Sequence, residues 1–181
     1  YGINPDMAIF GKALGNGYAI NSIIGKRSIM EACNSSFISS TFWTERIGPT
    51  AALETLSSME KIKSWELIST IGRKIKKNWI KLSQLHNLQI NVEGIDAIPN
   101  FLFKSKNNLY YKTFISQEML KKKILASNYI FCSIAHKEKI LIRYYDCLEK
   151  IFYQIKKCEN EEENIERILE SRVCISGMRN K

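Results

Sequence analysis

The stretch that decides the fold is AIFGKALGNG, Ala8–Gly17. An apolar run ends in a glycine, a lysine follows, and two further glycines close the segment. Pro5 and Asp6 punctuate ahead of it. Met7–Phe10 therefore reads as a short buried strand, and Gly15–Gly17 as a sharp turn away from its end. A lysine at such a place binds phosphate, lies on the surface, or forms a covalent bond. A phosphate-binding P-loop carries its glycines before the lysine and Ser or Thr after it. In this chain Ala13 follows Lys12 and the glycine-rich part comes later, which excludes that use. Of the other two, the decapeptide by itself favours a surface lysine at a strand end.

Working outward, AINSIIG is the next short strand, and KRSIMEAC a helical turn or two. NSSFISSTF is a hydroxyl-rich loop. GPTAALETLSSMEKI opens a helix with Pro49 in its first turn. A second helix carries Trp65, Ile68, Gly72, Ile75, Trp79 and Leu82 at steps of three and four, with most of its lysines off that stripe. LQINV, IPNFLFK and NYIFCSI are strand candidates, with Pro99 at the entry of the second. Thr113 is placed to cap a helix through FISQEMLKKKIL. A long amphipathic helix covers HKEKILIRYYDCLEKIFYQIKKC, with Ile140, Tyr144, Cys147, Ile151 and Ile155 on one side. ENEEEN is a solvated turn, and a short helix leads to VCISGMRNK. A domain boundary near Lys61–Ser64 separates residues 1–62 from residues 63–181.

The 181 residues carry 27 basic and 18 acidic side chains, a net charge of +9. Lysines alternate with apolar residues in GRKIKKNW and MLKKKIL, so solvated helix faces account for the excess and a nucleic-acid partner is not expected. Five cysteines form no C-x-x-C pair, which supports neither a disulfide scaffold nor a metal site. Buried thiols in a reducing compartment, the cytoplasm, fit better. No apolar run is long enough to span a membrane, and no signal peptide opens the chain. The first residue is Tyr1, consistent with a processed or truncated piece.

The covalent use of Lys12 is a Schiff base with pyridoxal phosphate. That chemistry needs a neutral amine, which desolvation and nearby cations favour. Gly11 and Ala13 leave room for a planar ring. The cofactor's phosphate also needs partners. FISSTF offers Ser39, Ser40 and Thr41, with Gly48-Pro49 opening a helix soon after, and hydroxyls near a helix start are natural anion ligands. A capped surface turn is the plainer reading of that loop.

YGINPDMAIFGKALGNGYAINSIIGKRSIME, followed by SSTFWTERIGPTAALETL, resembles the class III aminotransferases, in particular the glutamate-1-semialdehyde aminomutase group. Lys12 and Thr41 lie 29 positions apart, in the order and at the separation of that family's cofactor lysine and threonine. LASNYIFCSIAH and VCISG also look like the group's C-terminal domain. The resemblance implies an α/β fold: a partial fold-type-I pyridoxal-phosphate transferase, comprising the C-terminal remnant of the large domain (1–62) and an α+β small C-terminal domain (63–181). It implies that Lys12 holds the cofactor and moves the substrate's proton, and that Thr41 binds the phosphate from the neighbouring subunit of a homodimer. Ser40 is a weaker candidate for the same anion. The substrate would be a small amino or carbonyl compound.

The chain departs from the pattern in two places. Counting back from SIAH places Asn128 where the aminomutases carry a glutamate facing the cofactor. An amide cannot ionise, so an aminotransferase acting on another carbonyl substrate is equally expected. The family's aspartate for the pyridine nitrogen, and its phosphate loop, lie upstream of the position that Tyr1 matches. The chain alone is therefore expected neither to hold the cofactor tightly nor to turn over. His136 reads as structural, and His86 as a helix-end cap or surface residue. Two other readings compete: a non-enzymatic basic α+β module binding nucleic acid or a protein partner, and a degenerate gene remnant.

Overall fold

The computed structural model describes residues 2–175. The end of the VCISGMRNK stretch, from Ser176 onward, lies outside the described residues. The chain divides into two compact units, the first ending at Lys63 and the second beginning at Ser64.

In the first unit, strand β1 (Met7–Phe10) pairs antiparallel with β2 (Ser22–Gly25), with Met7 opposite Gly25 and Phe10 opposite Ser22. A 3₁₀ turn over Lys12–Leu14 follows β1. The chain then reverses through Asn16 and Gly17, both with positive φ. Helix α1 (Arg27–Met30) runs into a second 3₁₀ turn over Glu31–Ser35. Helix α2 (Ile47–Ile62) begins one residue before the GPT motif. Pro49 sits in its first turn, where a missing N–H has no helical partner to lose. Gly48 lets α2 close on the chain after the reversal: a Cβ there would lie 2.8 Å from the Ala19 carbonyl oxygen.

The expectation of a buried β1 is corrected by this geometry. Ile9 is 72% exposed, and Phe10, Ile23 and Ile24 are each about half exposed. Ala52 is the one buried hydrophobic side chain of this unit among the described residues. The reason is topological. β1 and β2 form a two-stranded sheet whose apolar side chains point to both faces. Strands apolar on both faces belong to the interior of a larger covered sheet, and an isolated ribbon cannot bury them.

The second unit holds the hydrophobic core. Helix α3 (Ser64–Leu85) leads into the antiparallel hairpin β3 (Ile90–Glu93) and β4 (Asn100–Phe103). Helices α4 (Asn108–Lys121), α5 (Glu138–Glu159) and α6 (Ile165–Ile168) complete it. On α3 the sequence pattern holds from Gly72 on, with Gly72, Ile75, Trp79 and Leu82 buried; at its start it is corrected, since Trp65 is half exposed and Ile68 only partly buried. β4 alternates, with Phe101 and Phe103 inside and Leu102 exposed. Phe103 meets the rings of Phe101, Tyr111 and Phe152 edge-on at 5.3–5.7 Å.

Three local expectations are corrected. NYIFCSI does not form a continuous strand. It pairs with the β4 entry through one bridge, Asn100 to Tyr129, flanked by Phe101 N–H to Asn128 O and Ile130 N–H to Pro99 O. Pro99 has no N–H to return to Ile130, which interrupts the ladder there, and one further bond follows, from Cys132 N–H to Ala97 O at 2.9 Å. Thr113 does not cap α4. The helix starts at Asn108, because Tyr111 is needed in the core, and Thr113 Oγ donates inside the helix to Leu109 O at 2.8 Å. The buried face of α5 is Leu141, Tyr144, Leu148, Ile151, Phe152 and Ile155, while Ile140 is 53% exposed. The larger side chains Leu148 and Phe152 set the helix rotation.

Candidate active site

Gly11 is extended at φ −162°. Lys12 then takes φ +51°, a left-handed conformation that costs a residue with a Cβ about 1 kcal/mol or more. Asn16, in the reversal that follows, shares this left-handed conformation. At Lys12 it breaks the strand direction so that the side chain stands at the strand end, outside the β1–β2 ladder. Lys12 is exposed. Among the described residues no hydrogen bond or ion pair occupies its amine, whereas Lys26, beside the same ribbon, is tied to Asp6 at 2.7 Å. Gly15 seals the turn behind Lys12: a Cβ there would lie 2.1 Å from the Tyr18 carbonyl oxygen.

Ser40 and Thr41 are exposed in an irregular loop. Ser40 Oγ accepts from the Phe42 N–H at 3.3 Å, a local turn. The helix expected soon after these hydroxyls, at Gly48-Pro49, does open there, but the hydroxyls do not cap it. α2 begins at Ile47, its N-cap is Arg46, and no side chain caps it. Among the described residues no hydrogen bond joins Lys12 to Ser40 or Thr41 within the chain.

Asn128 lies in the second unit and is buried at 7% exposure. Its Nδ2 donates to the Phe101 carbonyl at 2.9 Å, and its Oδ1 accepts from Ser127 Oγ at 3.3 Å. The amide thus returns a bond to the residue whose N–H donates to the Asn128 carbonyl. This seat needs a donor, which a carboxylate does not supply. His136 Nδ1 accepts from the Ser133 N–H at 3.0 Å, which closes a turn before α5. His86 follows the end of α3 and stacks edge-on against Tyr153 at 6.1 Å.

Sequence reasoning missed two polar groupings in the second unit. Lys76 donates to the Gly94 carbonyl at 2.7 Å and to Asp96 at 2.9 Å, and Arg73 joins Asp96 at 3.1 Å. The Lys76 hydrogen bond, then that of Arg73, holds the Asp96 carboxyl below its usual range. Glu159 accepts from Tyr111 and from Ser105, whose Oγ lies 2.7 Å away. Burial, then the Glu159 contact, pushes the Tyr111 hydroxyl upward. These partners lie 18 to 54 positions apart in the chain, beyond any local sequence signal.

The family description Aminotransferase class-III matches residues 1–130, beginning ahead of Lys12 and ending just past Asn128. The chain belongs to the class III aminotransferase family. It is 26% identical, over 93% of its length, to the 3-aminobutyryl-CoA aminotransferase of Cloacimonas acidaminovorans (strain Evry), and spans 40% of that protein. It is also 26% identical, over 86% of its length, to the glutamate-1-semialdehyde 2,1-aminomutase of Legionella pneumophila (strain Lens), spanning 41% of it. Among solved structures, the FumI protein of Sphingopyxis sp. MTA144, in its PLP internal aldimine form, superposes with a TM-score of 0.79 at 22% identity. That match covers 93% of this chain and 41% of FumI. An omega-transaminase from Sphaerobacter thermophilus superposes with a TM-score of 0.75 at 12% identity, over 86% of this chain and 40% of the other. The class III chain therefore has the fold of about two-fifths of a transaminase.

Proposed function

We propose that this class III chain is the C-terminal part of a pyridoxal-phosphate-dependent aminotransferase. Residues 1–62 belong to the cofactor-binding large domain and residues 63–181 form the small domain. The observation that carries the reading is Lys12: an exposed amine with no partner among the described residues, lifted off the end of β1 by a left-handed residue and followed by a sealed glycine turn.

The residues present fit the cofactor in kind. Lys12 Nζ would hold it covalently, and Thr41 Oγ, with Ser40 beside it, would donate to its phosphate. When bound, pyridoxal phosphate supplies an electron sink for breaking a bond at an amino-bearing carbon. Lys12 Nζ would then move the proton at that carbon, first as base and then as acid. Thr41 is exposed and not bonded to Lys12 in its own chain. The family resemblance of Lys12 and Thr41 supports a homodimer in which each Thr41 serves the partner's Lys12.

The substrate is a small amino or carbonyl compound. Asn128 spends its amide on Phe101, which supports transfer of an amino group over the aminomutase reaction. The expectation of buried thiols is corrected, since Cys158 alone of the five is buried and Cys33 is exposed. That all five are free supports a reducing, cytoplasmic setting, and no helix among the described residues is long and apolar enough to cross a membrane. The exposure of Lys12 and of both ribbon faces supports inactivity of the 181 residues alone.

The test is borohydride reduction after mixing with pyridoxal phosphate, followed by peptide mass analysis. The 181-residue chain should give little adduct. The chain joined to, or co-expressed with, the remaining part of a class III large domain should give a stoichiometric adduct on Lys12, lost in Lys12→Ala. An adduct on other lysines, or none in the completed protein, would overturn the assignment.

A further inference from the structure

A groove of about 590 Å³ runs between α3 and the N-terminal half of α5, wholly within the second unit. Its floor is apolar: Ile71, Ile80, Leu141 and Ile142. Ile80 and Ile142 are 43% and 51% exposed. Along one wall stand Lys74, Lys77 and Lys81, at steps of three and four on α3, all exposed. Among the described residues no acidic side chain pairs with any of the three. Glu138 is the single carboxylate on the lining. Two buried atoms of the wall, Asn78 Oδ1 and Tyr145 Oη, have no hydrogen-bond partner among the described residues. Burial pushes the Tyr145 hydroxyl up to about 12, so it remains a neutral donor.

We propose that this groove docks an acidic amphipathic helix of a partner polypeptide. From Ile71 to Gln84 the lined length of α3 is ~20 Å, close to four helical turns. That is longer than a small anion needs and matches a helix laid in a groove. Glutamates at steps of three and four on the incoming helix face Lys74, Lys77 and Lys81. Its apolar stripe covers Ile80 and Ile142, and its polar groups offer partners to Asn78 and Tyr145. Nucleic acid fits less well. A single-stranded binder needs exposed ring faces for stacking, and this floor is aliphatic, its one ring besides His136 being Tyr145, with the hydroxyl shut away from solvent. No residue of the first unit takes part, so the groove stands apart from the role of Lys12.

The test uses the full chain and a fluorescein-labelled peptide of about 14 residues, with three glutamates at that spacing beside a leucine stripe. A scrambled peptide of the same composition is the control, and binding is read by anisotropy. The patterned peptide should bind at least about tenfold more tightly than the scrambled one. Lys74→Glu/Lys77→Glu/Lys81→Glu should weaken binding by about tenfold or more, as loss of three exposed ion pairs predicts. Lys104→Glu/Lys106→Glu/Lys122→Glu, the same charge change elsewhere, should leave it within about twofold. Circular dichroism checks that each variant remains folded. Ile142→Ser, which keeps every charge, should also weaken binding. Four results would overturn the proposal: equal binding of both peptides, equal loss in both charge variants, displacement by an oligouridine of similar length, or no binding.

Discussion

The indole Nε1 of Trp79 donates to the hydroxyl of Tyr144 at 2.9 Å, joining α3 to α5 with both side chains buried. Tyr144→Phe removes the acceptor and leaves a buried N–H with none. The expected loss is about 1–3 kcal/mol. A urea unfolding curve followed by tryptophan fluorescence should show a lower midpoint with an unchanged slope. An unchanged midpoint would mean that water or another group replaces the hydroxyl.

Gly72 is the close-approach point between α3 and the turn after β3. A Cβ there would lie 1.6 Å from the Asp96 carbonyl oxygen, so backbone must move. Gly72→Ala should destabilise the second unit by about 1–3 kcal/mol or more, despite alanine's better helix propensity. Gly17→Ala has open space around the added carbon but φ +107°; it should cost less, and only in the first unit. Thermal melts of the two variants compare them directly.

Asp96 gives the second unit an acid-sensitive contact. Its folded carboxyl is held below its ordinary value, first by the Lys76 hydrogen bond. A depressed carboxyl contributes stability that is complete above the unfolded value, near 4. That stability is lost as pH falls through the lower folded value. Stability measured from about pH 5 down to pH 2 should fall less steeply in Asp96→Asn than in the parent chain. Parallel acid limbs would show that the ion pair carries no linkage.

Asn128 sits against the Phe101 carbonyl as a donor, which makes it a poor seat for the carboxylate that its aminomutase relatives are expected to carry. Asn128→Glu would set a buried negative charge against a carbonyl oxygen and should cost about 3–5 kcal/mol, in the range of an uncompensated buried charge. Asn128→Asp should cost nearly as much near neutral pH and recover at low pH as the carboxyl protonates. Melting temperature against pH for both variants measures this.

The second unit is legible in the sequence because its helices write their cores at steps of three and four. Ile75, Trp79 and Leu82 fall where the α3 pattern puts them, and Phe101 and Phe103 alternate as a half-buried strand must. Pro99 marks a strand entry, yet its consequence lies in the neighbouring segment, where a missing donor interrupts the pairing of NYIFCSI. The start of α4 is hidden because Tyr110 and Tyr111 look like strand residues until the core around Phe103 claims Tyr111. At the candidate site the residue types and order are readable, but burial is not. A central strand and an uncovered ribbon share one sequence pattern, and only neighbouring chain decides between them.

The β1–β2 ribbon has one more consequence. Its two outer edges offer unpaired backbone groups beside isoleucine and phenylalanine side chains, a template for stacking copy on copy. Freshly purified protein should scatter more light as its concentration rises, and the rise should shrink when Ile9 or Ile23 is exchanged for lysine.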